Sequence, residues 1–136
     1  MLDQKLVSII LPAFNAEIYI SDAIDSILNQ TYINWELIII YDKSGDRSLE
    51  IIKEYLNKDS RISLVYNPAK GLISALNHGI KIAKGDFIAR MDADDISLSD
   101  RIELQIKHMI VNNLDICGCH HHIINKNGDL GNVSYN

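Results

Sequence analysis

Strand-like and helix-like segments alternate along this 136-residue chain, and the alternation restricts its possible folds more than any other feature. Short apolar runs with the length of buried strands are each followed by an apolar pattern with helical spacing. The predicted strands are residues 6–11, 37–41, 62–66 and 87–91, and the helical patterns are residues 20–28, 49–56, 72–83 and 102–110. Such alternation with short connections predicts an α/β fold, with an open, mostly parallel sheet covered by helices on both faces.

The last part of the chain departs from this alternation. Residues 116–124 have the pattern of another strand, and Asn127-Gly128 is typical of a tight hairpin turn, here leading into a short return around Val133. We find no linker, repeat or low-complexity tract. The length therefore predicts a single domain over residues 1–136.

Composition restricts the functions that the chain can have. A hydrophobic content of 47% fits a folded protein with a buried core, and a net charge of -5 argues against nucleic acid as the main partner. No apolar run approaches the roughly 20 residues of a membrane helix, so we expect no transmembrane segment. The N-terminal residues do not form a secretory signal, and two cysteines are too few for a disulfide framework. These features predict a cytoplasmic protein.

Three carboxylates lie within four residues at the end of the fourth predicted strand: Asp92, Asp94 and Asp95. Like charges this close repel one another, and a bound cation would neutralise them. Oxygen ligands of this kind suit Mg²⁺ or Mn²⁺, which take one or two carboxylates and fill their other positions with water and phosphate oxygens. An acidic loop that caps the next helix is the alternative, and the local sequence does not decide between the two.

Segments that contain polar residues follow the C-terminal ends of all the predicted parallel strands. They are Pro12 to Asn15, Asp42, Asn67 to Gly71 and Asp92 to Asp95. In open parallel sheets, ligands bind outside these ends, where the strand order switches. No dinucleotide-binding glycine motif and no P-loop occurs, so a bound metal would have to hold any phosphate groups.

Five stretches resemble the nucleotide-binding half of family two glycosyltransferases, which have the GT-A fold. They are residues 7–15, 26–32, 35–39, 75–80 and 93–95. The match runs from about Leu6 to about Cys119 in the right order and spacing. The resemblance implies a three-layer α/β/α, Rossmann-like GT-A sheet that is truncated after the nucleotide-binding half.

The resemblance also assigns residues to the nucleoside. Pro12, Ala13 and Phe14 match the loop that lines it, and Glu17 matches an acidic position just after that loop. Asp42 matches the carboxylate that accepts a hydrogen bond from the base. Phe14 could instead serve only in packing.

Asp92, Ala93 and Asp94 match the D-x-D motif of the family. There the motif holds a divalent cation, Mn²⁺ or Mg²⁺, that bridges the donor diphosphate. By this match Asp92 and Asp94 are metal ligands, with Asp94 the foremost direct ligand, while Asp95 is a supporting residue.

The chain departs from the family pattern in two places. Where the family usually has two consecutive aspartates followed by Gly-Ser, this chain has Tyr41 before Asp42 and Lys43 after it, which leaves the nucleotide preference open. The carboxylate that serves as catalytic base in inverting members would lie beyond Asn136, so no catalytic residue is assigned. We therefore expect a truncated gene, a fragment, or a protein completed by another chain.

The resemblance implies a metal-dependent transferase that passes a sugar from a nucleotide diphosphate to an unidentified glycan or lipid-linked acceptor. Uridine diphosphate (UDP) is the expected nucleotide. The rival hypothesis is a catalytically incomplete binding module or partner subunit. A nucleotidyltransferase is a weaker third, because the glycine-rich, basic loop that it needs is missing after the first strand. We also expect a homo-oligomer formed through the exposed C-terminal segment, in the cytoplasm or peripheral to the inner membrane face.

Residues 117–122, Cys-Gly-Cys-His-His-His, suggest a soft-metal site as a minor alternative. Zinc ligand pairs usually have two to four residues between them and need a second pair elsewhere. A strand would also divide the cluster, with Cys117, Cys119 and His121 on one face and His120 and His122 on the other. His78, alone on a helix, is weak evidence for a ligand.

Overall fold

The computed structural model describes residues 5–125 and 127–134. In chain order its elements are β1 (Val7–Ala13), α1 (Ile20–Leu28), β2 (Trp35–Tyr41), α2 (Ser48–Leu56), β3 (Ile62–Tyr66), α3 (Leu72–Ile82), β4 (Phe87–Arg90), α4 (Arg101–Asn112), β5 (His121–Ile124) and β6 (Leu130–Ser134). Internal contacts divide the chain into two compact units, Met1–Glu103 and Leu104–Asn136. The single domain over residues 1–136 stays a prediction.

In the first unit, β1 to β4 form one sheet in the order β3-β2-β1-β4, and all its neighbouring strands are parallel. The α/β class with a parallel sheet is therefore confirmed. The strand order switches at β1, which has β2 on one side and β4 on the other. A ligand site is expected beyond the C-terminal end of β1.

The two central strands are buried on both faces. Ile10, Ile38 and Ile40 form a core cluster with Ala75 of α3 on one face. Residues of the opposite face, such as Ile9 and Leu11, are also fully buried. Because parallel strands in such sheets are covered on both sides, they have continuous apolar runs rather than alternation.

A glycine sets the distance between α3 and β1. A Cβ atom at Gly79 would lie 2.5 Å from Ile10 Cγ2, closer than the two side chains could pack. The absence of a side chain therefore lets α3 lie close against the sheet.

The predicted end of the first strand was wrong. The first strand was predicted to end at Leu11, just before Pro12, but β1 continues to Ala13, with Pro12 in register with Ile40. On its other side β1 pairs with β4 only as far as Ile10, opposite Arg90. Proline is tolerated here because no β4 residue lies opposite it to accept a hydrogen bond from its nitrogen.

In the second unit, β5 and β6 form an antiparallel hairpin, in which His121 pairs with Ser134 and Ile124 with Leu130. Its turn contains Gly128, whose φ of 84° favours glycine. The hairpin prediction is confirmed. The strand predicted over residues 116–124 is shorter than expected, since β5 begins only at His121. Among the described residues, no helix has the length and apolar character needed to cross a membrane.

Candidate functional site

A cleft of about 370 Å³ opens at the C-terminal edge of the parallel sheet, next to the start of α3. All the predicted site residues except Glu17 line it: Pro12, Ala13, Phe14, Asp42, Asp92, Ala93 and Asp94. The structure thus brings together residues that are up to 82 positions apart in the chain. Tyr19 and Arg90 also line the cleft, and no pattern in the sequence selected either of them as a site residue.

Asp42, directly after β2, is held by the loop before α3. Its Oδ2 accepts hydrogen bonds from the backbone N–H of Gly71 at 2.8 Å and from Asn67 Nδ2 at 3.0 Å. Asn67 is fixed in turn, because its Oδ1 accepts a hydrogen bond from Ser74 Oγ at 2.8 Å. Gly71 has a φ of 96°, a backbone conformation that residues with a side chain rarely adopt. Within the described residues, Asp42 Oδ1 accepts no hydrogen bond, so it remains available to a ligand.

Tyr41 and Lys43, which flank Asp42, are absent from the cleft lining. Tyr41 is buried, and its ring lies edge-on to Tyr66 with 5.8 Å between ring centres. Its hydroxyl accepts a hydrogen bond from the backbone N–H of Ser44 at 3.1 Å. Lys43 is exposed. The two residues that depart from the family pattern are thus outside the cleft, while Asp42 lines it.

Glu17 has a different environment from the other predicted site residues. Its Oε2 accepts a hydrogen bond from the backbone N–H of Arg47 at 2.9 Å, and its own N–H donates to Asp46 Oδ2 at 3.0 Å. This reciprocal pair joins the loop after β1 to the loop after β2. Glu17 therefore positions the first loop, and its direct contact with a nucleotide stays a prediction.

Asp46 is the most strongly hydrogen-bonded carboxylate in this region. Burial raises the pKa of Asp46, but hydrogen bonds from the Ser44 and Ser48 hydroxyls and from the N–H groups of Glu17 and Ser48 outweigh it. The resulting pKa is about 2, so Asp46 is ionised at neutral pH. Its charge helps to hold the two loops that form one wall of the cleft.

Across the cleft, Asp92 forms an ion pair with Arg90. The guanidinium donates through Nε to Asp92 Oδ1 and through Nη2 to Asp92 Oδ2, both at 3.0 Å. Both side chains are partly exposed, 54% for Arg90 and 39% for Asp92. Asp94 is exposed and accepts no hydrogen bond from any residue that the structure describes. Asp95 lies outside the cleft lining.

The donor set at Asp92 and Asp94 suits a divalent cation of the Mg²⁺ or Mn²⁺ type. Such ions take one or two carboxylates and complete their shells with water and substrate phosphate, which requires an open cleft beside the ligands. The described residues contain no group of three or more His, Cys, Asp or Glu side chains that could enclose a metal. Two carboxylates beside an open cleft therefore fit a metal that is shared with a phosphate ligand.

The cysteine and histidine run lies in the second unit. Cys117 and Cys119 precede β5, which begins at His121, so the predicted division of this run between two strand faces was wrong. Cys117 Sγ donates to the carbonyl of Gly118 at 3.2 Å.

Comparison with known proteins gives consistent matches. The model of the family described as glycosyl transferase family 2 matches residues 8–136. An Escherichia coli protein, UDP-Glc:alpha-D-GlcNAc-diphosphoundecaprenol beta-1,3-glucosyltransferase WfgD, is 44% identical over 131 residues, covering 96% of this chain and 51% of that protein. The O-antigen biosynthesis glycosyltransferase WbnJ of Escherichia coli is 39% identical over 128 residues, covering 92% of this chain and 50% of that protein. The chain thus spans about half the length of these relatives.

Solved structures show the same fold. S. aureus TarS 1-349 in complex with UDP superposes with a TM-score of 0.72 and 24% identity, covering 79% of this chain and 32% of that one. The mannosyltransferase PcManGT from Pyrobaculum calidifontis, in complex with GDP-Man and Mn²⁺, gives a TM-score of 0.62 and 24% identity, covering 74% of this chain and 30% of that one. Both belong to the GT-A fold, which is the fold that the sequence predicted.

Proposed function

The chain belongs to glycosyltransferase family 2, and on that premise we propose that its cleft binds a nucleotide-diphosphate sugar, with UDP as the nucleotide and Mn²⁺ or Mg²⁺ on Asp92 and Asp94. The observation that carries this proposal is that Asp42 and the Asp92–Asp94 pair line one cleft. We call Asp42, Asn67 and Gly71 the base end, and Arg90, Asp92 and Asp94 the metal end.

The separation of the two ends supports the proposal. Asp42 follows β2 and Asp92 follows β4, and these strands lie on opposite sides of β1. Two strand spacings separate them, about 10 Å across the sheet. A nucleoside diphosphate has a comparable length, so its base can reach Asp42 while its diphosphate lies at the metal end.

The hydrogen bonds of Asp42 favour uracil over guanine. Uracil offers one ring N–H donor between two carbonyl oxygens, and a single carboxylate oxygen can accept it. Guanine offers two adjacent donors, which require both oxygens of a carboxylate. Because Oδ2 already accepts from Gly71 and Asn67, only Asp42 Oδ1 is available. We therefore propose UDP rather than GDP as the nucleotide.

The chain's own residues have separate roles in this proposal. Pro12, Ala13 and Phe14 form the wall beside the nucleoside, and Glu17 holds that loop against the neighbouring one. Asp92 and Asp94 hold the metal. When bound, the metal acts as a Lewis acid that stabilises the negative charge of the departing diphosphate.

The acceptor and the catalytic base are not assigned to residues 1–136. A lipid-linked glycan is the proposed acceptor class, because a relative's name includes a diphosphoundecaprenol acceptor. Such an acceptor would place the protein in the cytoplasm at the inner membrane face. A donor-binding module or partner subunit is the second candidate, because the residues assigned in the cleft all serve the donor. In either case we propose self-association through the exposed apolar residues of the second unit, including Ile116, Ile123 and Leu130.

Calorimetry tests the proposal directly. We expect UDP to bind the chain with Mn²⁺ present and to lose that binding when the metal is chelated. GDP, under the same conditions, should bind at least about tenfold more weakly, because one of its two donors would be left unpaired. Equal binding of UDP with and without metal would contradict the metal role, and tighter binding of GDP would contradict the role of Asp42.

A further inference from the structure

The side chain that best supports a further role is Arg90. Among the residues that line the cleft it is the one carrying a positive charge, beside the carboxylates of Asp42, Asp92 and Asp94. Such a negative cleft repels a diphosphate unless cations neutralise it. A divalent cation supplies part of that charge, and Arg90 supplies another part from the described lining of the cleft.

The backbone of Arg90 is fixed, whereas its guanidinium is exposed. Arg101 Nη2 donates to the Arg90 carbonyl at 2.9 Å, and the N–H of Met91 donates to the Ile10 carbonyl at 3.0 Å. The Arg90 side chain is 54% exposed, and its partner among the described residues is Asp92. A fixed backbone with an exposed, singly paired guanidinium allows that group to change partners without refolding.

The ion pair between Arg90 and Asp92 can be replaced by other partners at little cost. Exposed ion pairs contribute little net stability, because water solvates both partners well. Asp92 is one of the two proposed metal ligands, so a bound metal competes with Arg90 for the same oxygens. The planar guanidinium fork that matches a carboxylate also matches two oxygens of a phosphate group.

We infer that Arg90 is a donor-binding residue that pairs with Asp92 in the free protein and transfers its hydrogen bonds to the donor diphosphate when a divalent cation takes Asp92. This inference rests on the proposed function and deepens it. It makes metal and diphosphate binding cooperative, because each removes the competitor of the other. The metal releases Arg90 from Asp92, and the diphosphate keeps Arg90 from returning.

The test compares the parent chain with Arg90→Gln and Arg90→Lys, using Mn²⁺ alone, UDP with Mn²⁺, and uridine as probes. Free Mn²⁺ can be counted by electron paramagnetic resonance, and the nucleotides by calorimetry. Arg90→Gln should bind Mn²⁺ alone up to about fivefold more tightly, because the competing ion pair is gone. It should bind UDP with Mn²⁺ about 10- to 100-fold more weakly, because a charge-assisted hydrogen bond to phosphate is lost. Uridine has no phosphate, and its affinity should not change.

Arg90→Lys retains the charge but loses the fork, and its UDP affinity should lie between those of the parent and Arg90→Gln. Arg47→Gln is the control, since the Arg47 side chain forms an exposed ion pair with Glu50 outside the cleft lining, and the substitution keeps the backbone N–H that donates to Glu17. It should leave all three affinities unchanged.

A second variant tests whether Arg90 moves from Asp92 to the diphosphate or only adds positive charge to the cleft. Asp92→Asn frees Arg90, so UDP in the absence of metal should bind more tightly than it does to the parent. In the double variant Asp92→Asn with Arg90→Gln, most of that gain should be lost.

The outcomes are distinguishable. Arg90→Gln with UDP affinity within about twofold of the parent would overturn the inference and leave the proposed function intact. An equal loss for UDP and uridine would also overturn it, since Arg90 would then act at the base end or through folding. A parent chain that binds no UDP with Mn²⁺ would overturn the proposed function and the inference with it.

Discussion

The two ends of the cleft hold their carboxylates in different ways. At the base end, one oxygen of Asp42 accepts two hydrogen bonds from the chain, and its other oxygen stays available. At the metal end, Asp92 is in a partly exposed ion pair, and Asp94 accepts no hydrogen bond from the described residues. Under the proposed function, the base end is arranged before a ligand arrives, which would lower the ordering cost of binding a neutral ring. The metal end would then be arranged for charged partners to exchange.

The largest expected effect of a substitution is at the metal end. Asp94→Ala should abolish the metal-dependent part of UDP binding, because it removes a carboxylate that has no competing partner in the described chain. Calorimetry with and without Mn²⁺ measures this part directly. Asp95→Ala changes the next carboxylate, outside the cleft lining, and should keep the metal dependence. Undiminished metal-dependent binding by Asp94→Ala would remove the central ligand of the proposal.

Asp42→Ala should have the next largest effect, and it should lower the affinity for UDP without removing the metal dependence. A hydrogen bond to a charged group contributes about 1.5 to 3 kcal/mol, so UDP affinity should fall roughly 10- to 100-fold. The requirement for Mn²⁺ should remain, because Asp42 is assigned to the base rather than to the diphosphate. If Asp42→Ala binds UDP as tightly as the parent, or also loses its metal dependence, the division of the cleft into two ends is wrong.

Much of this site could be predicted because its carboxylates follow strand ends. Asp42, Asp92 and Asp94 come directly after apolar runs, and parallel strands bring their C-terminal ends to one edge. The arrangement around them could not be predicted in the same way. The bond from the N–H of Gly71 to Asp42 joins residues 29 positions apart and depends on how two loops meet.

The two wrong predictions of strand ends also have physical causes. Pro12 normally ends a strand, but here no β4 residue lies opposite its nitrogen, a fact that depends on the length of a distant strand. The apolar and histidine pattern of residues 116–124 predicted a longer strand than β5. In the part of the chain that the structure describes, the hairpin pairing begins at His121 opposite Ser134, and β5 covers only His121–Ile124.

The loops at the base end should also lose stability in acid. The pKa of Asp46 is about 2, below the ordinary value of about 3.9 expected when the chain is unfolded. A carboxylate with a lowered folded-state pKa stabilises the protein above its unfolded pKa, and this contribution disappears as pH falls through the folded value. The loss should occur between about pH 4 and about pH 2. Allowing for solvent screening, it amounts to about 1 to 2 kcal/mol.

Urea unfolding of Asp46→Asn tests this assignment. At pH 7 its free energy of unfolding should be lower than that of the parent by about 1 to 2 kcal/mol, and the difference should shrink towards pH 2. Asp100→Asn, at an exposed position outside this network, should follow the parent throughout. A constant difference at every pH would mean that Asp46 acts through packing rather than through its charge.

The smallest expected effect on UDP affinity comes from Asn67, which supports Asp42 at the base end. Asn67 Nδ2 donates to Asp42 Oδ2 and to the Gly71 carbonyl, and the N–H of Gly71 donates to the same Asp42 oxygen. Asn67→Ala therefore removes one direct support of Asp42 and one of the bonds that hold the other. Losing one such bond costs about 1 kcal/mol, which corresponds to about fivefold weaker UDP binding. Ser74→Ala acts one step further away, through Asn67 Oδ1, and should have less effect. In the Asp42→Ala background, Asn67→Ala should add almost nothing, because its effect passes through Asp42. A full additional loss in that double variant would instead show that Asn67 contacts the nucleotide itself.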